Sequence, residues 1–298
     1  MEITFLGTSQ AIPTAKRNHT SILLKYCEDS ILVDCGEGTQ RQMRIAGINP
    51  CKLTKLLITH WHGDHILGIP GLLQTLALNN YNRTLEVYGP RGTRRFFEAI
   101  LNMFIFHGKI KTEIKEINDD GIFLENDKFS ISAYEMNHGS PCVAYSFEEK
   151  EKRRVKMDEL RKIGVKPSPM IAELQKGKNI TCEGKTIKAD KYTFLQEGKK
   201  IVFIMDTALN ANCIKIAENA DLLISESTYL NELEKKAYEY KHLTARQAAE
   251  IAKRAKVKEL ILTHLSQRYE EMPEKILHEA QKVFKNTKIA KDFMKIEL

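Results

Sequence analysis

Residues 57–65 read LITHWHGDH, so three histidines and an aspartate occupy the six positions that follow an apolar run. Side chains so strongly hydrated are costly to bring to the end of a buried strand unless something there binds them. In an extended segment residues two apart share a face, so His60 and His62 point one way and Trp61 the other. Gly63 permits a sharp turn, after which Asp64 and His65 open the next element and point back toward the same space. Imidazole suits zinc, iron and similar ions, and a carboxylate adds a hard anionic ligand. Four donors this close strain to serve one ion and suit two adjacent ions better. The bland alternative is a histidine-rich surface loop, but such a loop rarely follows an apolar strand so directly.

Further donors stand at the ends of other strand-like runs. His138 in MNHGSP follows ISAYEM, Asp206 follows IVFIM, and His264 ends ELILT. Ligands placed so would gather at one rim of the sheets, where loops carry function on rigid supports. One such histidine alone is more often a capped or surface residue. Beside the cluster, the repeated placement reads as a ligand set.

The chain around these donors alternates strands with helices. ITFLG, SILLKY and SILVDCG read as strands, the last two joined by a turn at Glu28-Asp29. GTQRQMRIAG reads as a helix ended by Gly47, GIPGLLQTLAL and RRFFEAILNMF as further helices, and LEVYGP as a strand. Residues 150–200 are lysine-rich and poor in aromatics, and Pro167 and Pro169 break them in two. They read as a solvated insertion projecting from the main body. Beyond them the chain repeats itself: SILLKYCEDSILVDCGEGT is matched by YTFLQEGKKIVFIMDTALN, and KLLITH by ELILTH. The pattern predicts two similar αβ halves facing each other in an α/β sandwich.

A net charge of +7 and a pI near 8.9 favour an anionic partner without requiring one. MEITFLGTSQ has neither the basic start nor the long apolar stretch of a signal peptide or membrane anchor. The six cysteines are scattered with no CxxC pair, which reads as reduced thiols in a cytosolic protein.

The pattern His60-x-His62-x-Asp64-His65, with later His138, Asp206 and His264, resembles the metallo-β-lactamase superfamily. FLGTSQAIPTAKRN, DCGEGTQRQ, THWHGDH, KHLTA and THLSQRY narrow the resemblance to the ribonuclease Z family, over nearly the whole chain. Departures are small: the family usually has Gly-Asp-Thr where this chain has Met205-Asp206-Thr207, and Pro-Gly-Pro where it has Pro167-Ser168-Pro169.

That resemblance implies a four-layer αββα sandwich, with residues 1–298 as one domain and residues 151–190 as a flexible, protruding basic arm that binds tRNA. It implies two zinc ions per subunit, although iron and manganese use the same donors. His60, His62 and His138 would hold one ion, Asp64, His65 and His264 the other, and Asp206 would bridge them. The implied activity is endonucleolytic removal of the 3′ trailer from precursor tRNA near the discriminator nucleotide, leaving a 3′-hydroxyl. The alternative is a hydrolase of the same fold acting on a small phosphodiester or other small molecule, which has no need of a basic excursion. A di-iron oxidoreductase is disfavoured because no flavin-binding domain is present.

Within the implied reaction Asp64 would orient or deprotonate water, and His242 would act as general acid, oriented by Glu226. Thr244 serves better as the cap of TARQAAEIAKRA and leaves His242 free. Asp34 and Glu37 would fix histidine rings or the local turn. Lys16, Arg17, Ser266 and Arg268 would contact RNA. His107 and His278 read as structural or surface residues, and His19 has no assigned role. The family expectation is completed by a homodimer in the cytoplasm, with no membrane partner.

Overall fold

Both faces of the first strands are apolar, and both are buried. In Ser21–Tyr26, Leu23 joins the cluster beneath the helices, while Ile22 and Leu24 point to the opposite face. Asp29–Val33 divides likewise, with Leu32 on one side and Ile31 and Val33 on the other. A sheet buried on both faces lies between helices and a further layer. The computed structural model describes residues 1–105, 110–182 and 184–298; His107 lies outside the described residues.

Among the described residues two seven-stranded sheets form. The first runs in the order Lys295–Glu297, Glu2–Gly7, Ser21–Tyr26, Asp29–Val33, Lys55–Leu57, Thr84–Pro90, Lys111–Ile117. It is antiparallel up to Asp29–Val33 and parallel from there on. The second runs Thr287–Ile289, Glu259–Thr263, Leu222–Glu226, Lys200–Ile204, Val143–Glu149, Phe129–Glu135, Gly121–Glu125, with its first four strands parallel. The sheets meet where the Tyr145 hydroxyl donates to the Ile58 carbonyl at 2.7 Å and Tyr26 stands edge-on to Phe147 at 5.3 Å. Helices Thr39–Ile45, Ile69–Leu78 and Thr93–Met103 bury Met43, Leu72, Leu76 and Phe97 against the first sheet. Ala211–Ala217, Ala245–Arg254 and Pro273–Gln281 bury Ile216, Ala249, Ile251 and Ile276 against the second. The result is the expected αββα sandwich.

Local details differ from expectation by small steps. The hairpin turn falls on Cys27-Glu28, with Cys27 at φ +52°, and Asp29 already opens the next strand. The first helix is capped at Ala46. Gly47 follows at φ +69°, where the left-handed region favours glycine. The repeat is also incomplete. Asp34 and His60 follow neighbouring parallel strands, whereas Leu222–Glu226 is interposed between the strands that precede Asp206 and His264. That extra strand delivers Glu226.

Residues 125–130 and 148–199 form a compact unit distinct from the one comprising 1–124, 131–147 and 200–298. Its strands Lys152–Val155 and Thr193–Gln196 pair antiparallel, as do Ile180–Cys182 and Lys185–Ile187. Pro167 and Pro169 separate helices Met157–Lys162 and Ile171–Gln175. Leu160, Val165, Ile171, Leu174, Ile180, Ile187 and Ala189 bury one another in a small core. The segment read as a solvated excursion therefore has an interior of its own. All six cysteines are free thiols, and His278 lies exposed. Among the described residues no helix is long and apolar enough to cross a membrane.

Candidate metal centre

The strand Lys55–Leu57 ends just before His60, and the short helix Gly63–Ile66 begins with His62 as its extended N-cap. Asp64 and His65 therefore fall in the first turn, facing back toward the strand end. Gly63 has an ordinary φ; the close approach lies elsewhere. A Cβ on Gly68 would stand 2.0 Å from the Gly36 carbonyl oxygen, so glycine lets this helix seat against the loop after Asp34. His138 follows Phe129–Glu135, Asp206 follows Lys200–Ile204, and His264 follows Glu259–Thr263 in a left-handed conformation, φ +56°.

These residues converge in two groups. His60, His62, His138 and Asp206 form one, and Asp64, His65, Asp206 and His264 the other, each with its donor atoms within 4.8 Å of one another. His138 Nε2 lies 3.1 Å from His62 Nδ1, and His65 Nε2 lies 3.2 Å from His264 Nε2. Asp206 faces both groups: Oδ1 is 3.2 Å from His264 Nε2 and 3.4 Å from His65 Nε2, and Oδ2 is 3.6 Å from His60 Nε2. Two donors on one tetrahedral ion, each at about 2.0–2.1 Å, lie roughly 3.3 Å apart, so this is ligand spacing. His60 Nε2 and Asp206 Oδ1 are moreover buried without a hydrogen-bond partner. Orphaned polar atoms at such depth are rare, and a cation in each donor group would satisfy them. The donor set fits a pair of divalent ions.

The charges agree with that fit. Burial, with His65 alongside, pushes the His60 imidazole well below its ordinary value, which keeps its lone pair available. Burial would do the same to His65, but Asp206, Asp64 and Asp34 raise it well above the usual histidine range. The negative field responsible equally favours a cation at its Nε2. Asp64 and Asp206 stay anionic despite burial, because the surrounding histidines hold them below the ordinary carboxylate range.

A layer of buried groups fixes the rings. Asp34 accepts from His65 Nδ1 at 2.7 Å, from the Thr59 amide at 2.8 Å and from the Thr59 hydroxyl at 2.8 Å. With its proton spent on Asp34, the Thr59 hydroxyl accepts from His60 Nδ1 at 3.1 Å. Both rings thus turn Nε2 toward the donor groups. His138 Nδ1 donates to the Lys241 carbonyl at 3.0 Å. On the far side His242 Nδ1 lies 3.1 Å from each oxygen of Glu226, which also accepts from the Thr207 amide at 2.8 Å. Burial would lower the His242 imidazole, but Glu226 and Asp206 lift it to about 9, so the ring is a proton donor near neutrality.

The residues expected to touch RNA fare unevenly. Arg268 is exposed, its Nε donates to Ser266 at 3.1 Å, and its guanidinium lies 5.2 Å over the Tyr229 ring, itself 6.1 Å from His242. Lys16 is exposed but paired with Glu271 at 2.8 Å. Arg17 is buried, donating at 2.7 Å to both the Thr8 hydroxyl and the Ala290 carbonyl. It braces the N-terminal loop rather than reaching for phosphate. The Glu37 carboxylate is exposed, and the residue enters its turn through its carbonyl, which accepts from Asn18. His19, left without a role, is buried and donates to the Ala11 carbonyl at 3.0 Å, while the Ala11 amide donates to Asp64 Oδ2 at 2.9 Å.

A family model described as Anti-Pycsar protein Apyc1 matches residues 1–118, less than half of the chain. Over the full length, ribonuclease Z of Methanothermobacter thermautotrophicus is 42% identical, the match covering 100% of this chain and 97% of that protein. Ribonuclease Z of Bacillus cereus is 38% identical, covering 98% and 97%. The solved structure of human tRNase Z, short form, is 26% identical with a TM-score of 0.72, covering 100% and 99%. YhfI of Bacillus subtilis, a metallo-β-lactamase-fold protein, is 22% identical with a TM-score of 0.72 and shares the fold, the match covering 100% of this chain and 98% of that one. The chain belongs to the ribonuclease Z family, endoribonucleases of the metallo-β-lactamase fold that hydrolyse phosphodiester bonds.

Proposed function

We propose that this protein is a zinc-dependent endonuclease that removes the 3′ trailer of precursor tRNA, cutting near the discriminator nucleotide and leaving a 3′-hydroxyl. One observation carries the reading: two donor groups share Asp206 beside a buried His242–Glu226 pair, in a chain similar end to end to ribonucleases Z. His60, His62 and His138 would hold one zinc, Asp64, His65 and His264 the other, and Asp206 both. Bound there, two divalent cations lower the pKa of water and neutralise charge on a phosphodiester.

The chain's own residues supply the rest. Asp64 takes or orients the proton of the attacking water, held by the Ala11 amide on one oxygen. With Nδ1 committed to Glu226, His242 has its Nε2 proton to give to the departing ribose 3′ oxygen. Arg268 and Ser266 lie on the same side as His242 and would meet the RNA backbone beside the cut. Lysines and arginines of residues 151–190 would bind tRNA phosphates and read the shape of the folded molecule rather than its sequence. The working form is a cytoplasmic homodimer, a compartment with which six free thiols agree.

Incubation with a 3′-extended precursor tRNA, with and without chelator, tests the reading when the cut is mapped at nucleotide resolution. A chelator-sensitive cut next to the discriminator is expected. Cleavage elsewhere, or cleavage indifferent to chelator, overturns it.

A further inference from the structure

We propose that Thr228 is a positioning residue whose single hydroxyl ties a ligand of one cation to the general-acid pair. The proposal deepens the function above and rests on its assignment of His264 and His242.

Thr228 is fully buried. Its Oγ1 lies 2.6 Å from Glu226 Oε2 and 3.1 Å from His264 Nδ1. A hydroxyl has one proton and two lone pairs. The carboxylate at the shorter distance takes the proton, a charge-assisted bond of the stronger kind. A lone pair is then left to accept from His264 Nδ1–H. The tautomer of His264 follows: its Nε2 carries the free lone pair, 3.2 Å from Asp206 Oδ1 and 3.4 Å from Asp64 Oδ2. Thr228 Oγ1 also stands 3.2 Å from the His264 carbonyl, against the residue whose backbone is held at φ +56°. Conformations of this kind persist only where the surroundings hold them.

The arrangement has a counterpart across the site. Thr59 donates to Asp34 and accepts from His60, as Thr228 donates to Glu226 and accepts from His264. Each buried carboxylate thus governs one histidine directly, His65 or His242, and one through a threonine. The difference is what the direct partner does. Asp34 serves ligands only, whereas Glu226 serves a ligand and an acid, so Thr228, unlike Thr59, joins cation holding to proton delivery.

The test uses the zinc-loaded full-length enzyme. Thr228→Val keeps the shape and removes the hydroxyl; Thr228→Ser keeps the hydroxyl; Thr228→Ala stands in if the valine variant does not fold. Zinc retention is read by competition with a chromophoric chelator, and kcat and KM are read on a 3′-extended precursor tRNA. The expected result for Thr228→Val is one zinc held roughly 10- to 100-fold more weakly, the other unchanged, with kcat lowered and KM near wild type. Thr228→Ser recovers most of both. Wild-type retention and kcat in Thr228→Val overturn the proposal, as does equal loosening of both ions. A wild-type enzyme that holds fewer than two zinc ions fails instead at the metal assignment on which the proposal rests.

Discussion

The backbone amide of Ala11 donates to the carboxylate of Asp64 across 2.9 Å, from a residue held at φ +37°. A loop far off in sequence therefore sets the rotamer of the side chain assigned to the attacking water. Asp64→Ala is expected to lower kcat on precursor tRNA by at least about 100-fold, the lower range for a positioned acid–base group. Ala11→Gly keeps the amide and relieves the left-handed backbone, so it is expected to fold and cut normally. Steady-state kinetics on both variants, with circular dichroism to verify folding, decides the matter; normal cleavage by Asp64→Ala sinks the mechanism.

Cation removal has a second readout in stability. Asp206 Oδ1 and His60 Nε2 are buried without partners, and the carboxylates around His65 repel one another when nothing balances them. Dialysis against chelator is expected to abolish cleavage and lower the melting temperature, and added zinc to restore both. A ligand at about a thousand times its Kd stabilises by roughly 4 kcal/mol, enough to move a melting curve by several degrees. Identical melting curves with and without zinc would contradict the assigned centre.

General acid catalysis depends on the leaving group. His242→Ala is expected to cost about 100- to 10,000-fold in kcat on precursor tRNA, whose ribose oxygen needs a proton. On a p-nitrophenyl phosphodiester, whose leaving group is stable as an anion, the loss is expected to shrink to a few fold. An equal loss on both substrates points to a structural part for His242. Glu226→Gln should show the same contrast at smaller amplitude, since Glu226 orients the ring and does not itself give the proton.

Residues 156–192 can be removed without cutting through an apolar core. Val155 pairs with Thr193 at the far end of the hairpin that starts at Lys152 and Gln196, so a short turn can join them. The shortened enzyme is expected to bind precursor tRNA at least about 10-fold more weakly and to lose much of its salt dependence, which follows the number of phosphates neutralised. Activity on the p-nitrophenyl ester should stay near wild type. Parallel loss on both substrates argues against a role in RNA binding.

The donors were legible because a polar residue that ends an apolar run is seldom placed there by packing. His60, Asp206 and His264 announce themselves that way, and so does Asp34 at the end of SILV, while His62, Asp64 and His65 crowd behind His60 and His138 closely follows ISAYEM. Glu226 was expected to orient His242, but the sequence does not show how it gets there: its strand lies between those leading to Asp206 and His264. Thr59, Thr228 and the Ala11 amide left no mark, since a hydroxyl or a peptide N–H takes its role wholly from three-dimensional placement. Arg17 misled because a Lys-Arg pair looks exposed in sequence, whereas its guanidinium closes a gap between Thr8 and Ala290. The core around Leu160 and Leu174 was hidden because its members come one or two to an element amid lysines.

That core has an evolutionary consequence. Residues 148–199 depart from and rejoin neighbouring strands, Val143–Glu149 and Lys200–Ile204, and carry their own apolar interior. Such a stretch is built as an exchangeable cassette: lengthening, shortening or replacing it would leave the pairing of the strands that present His138 and Asp206 in place. If that stretch grips the RNA as proposed, lineages sharing this catalytic chassis would change what they hold without relearning how to cut.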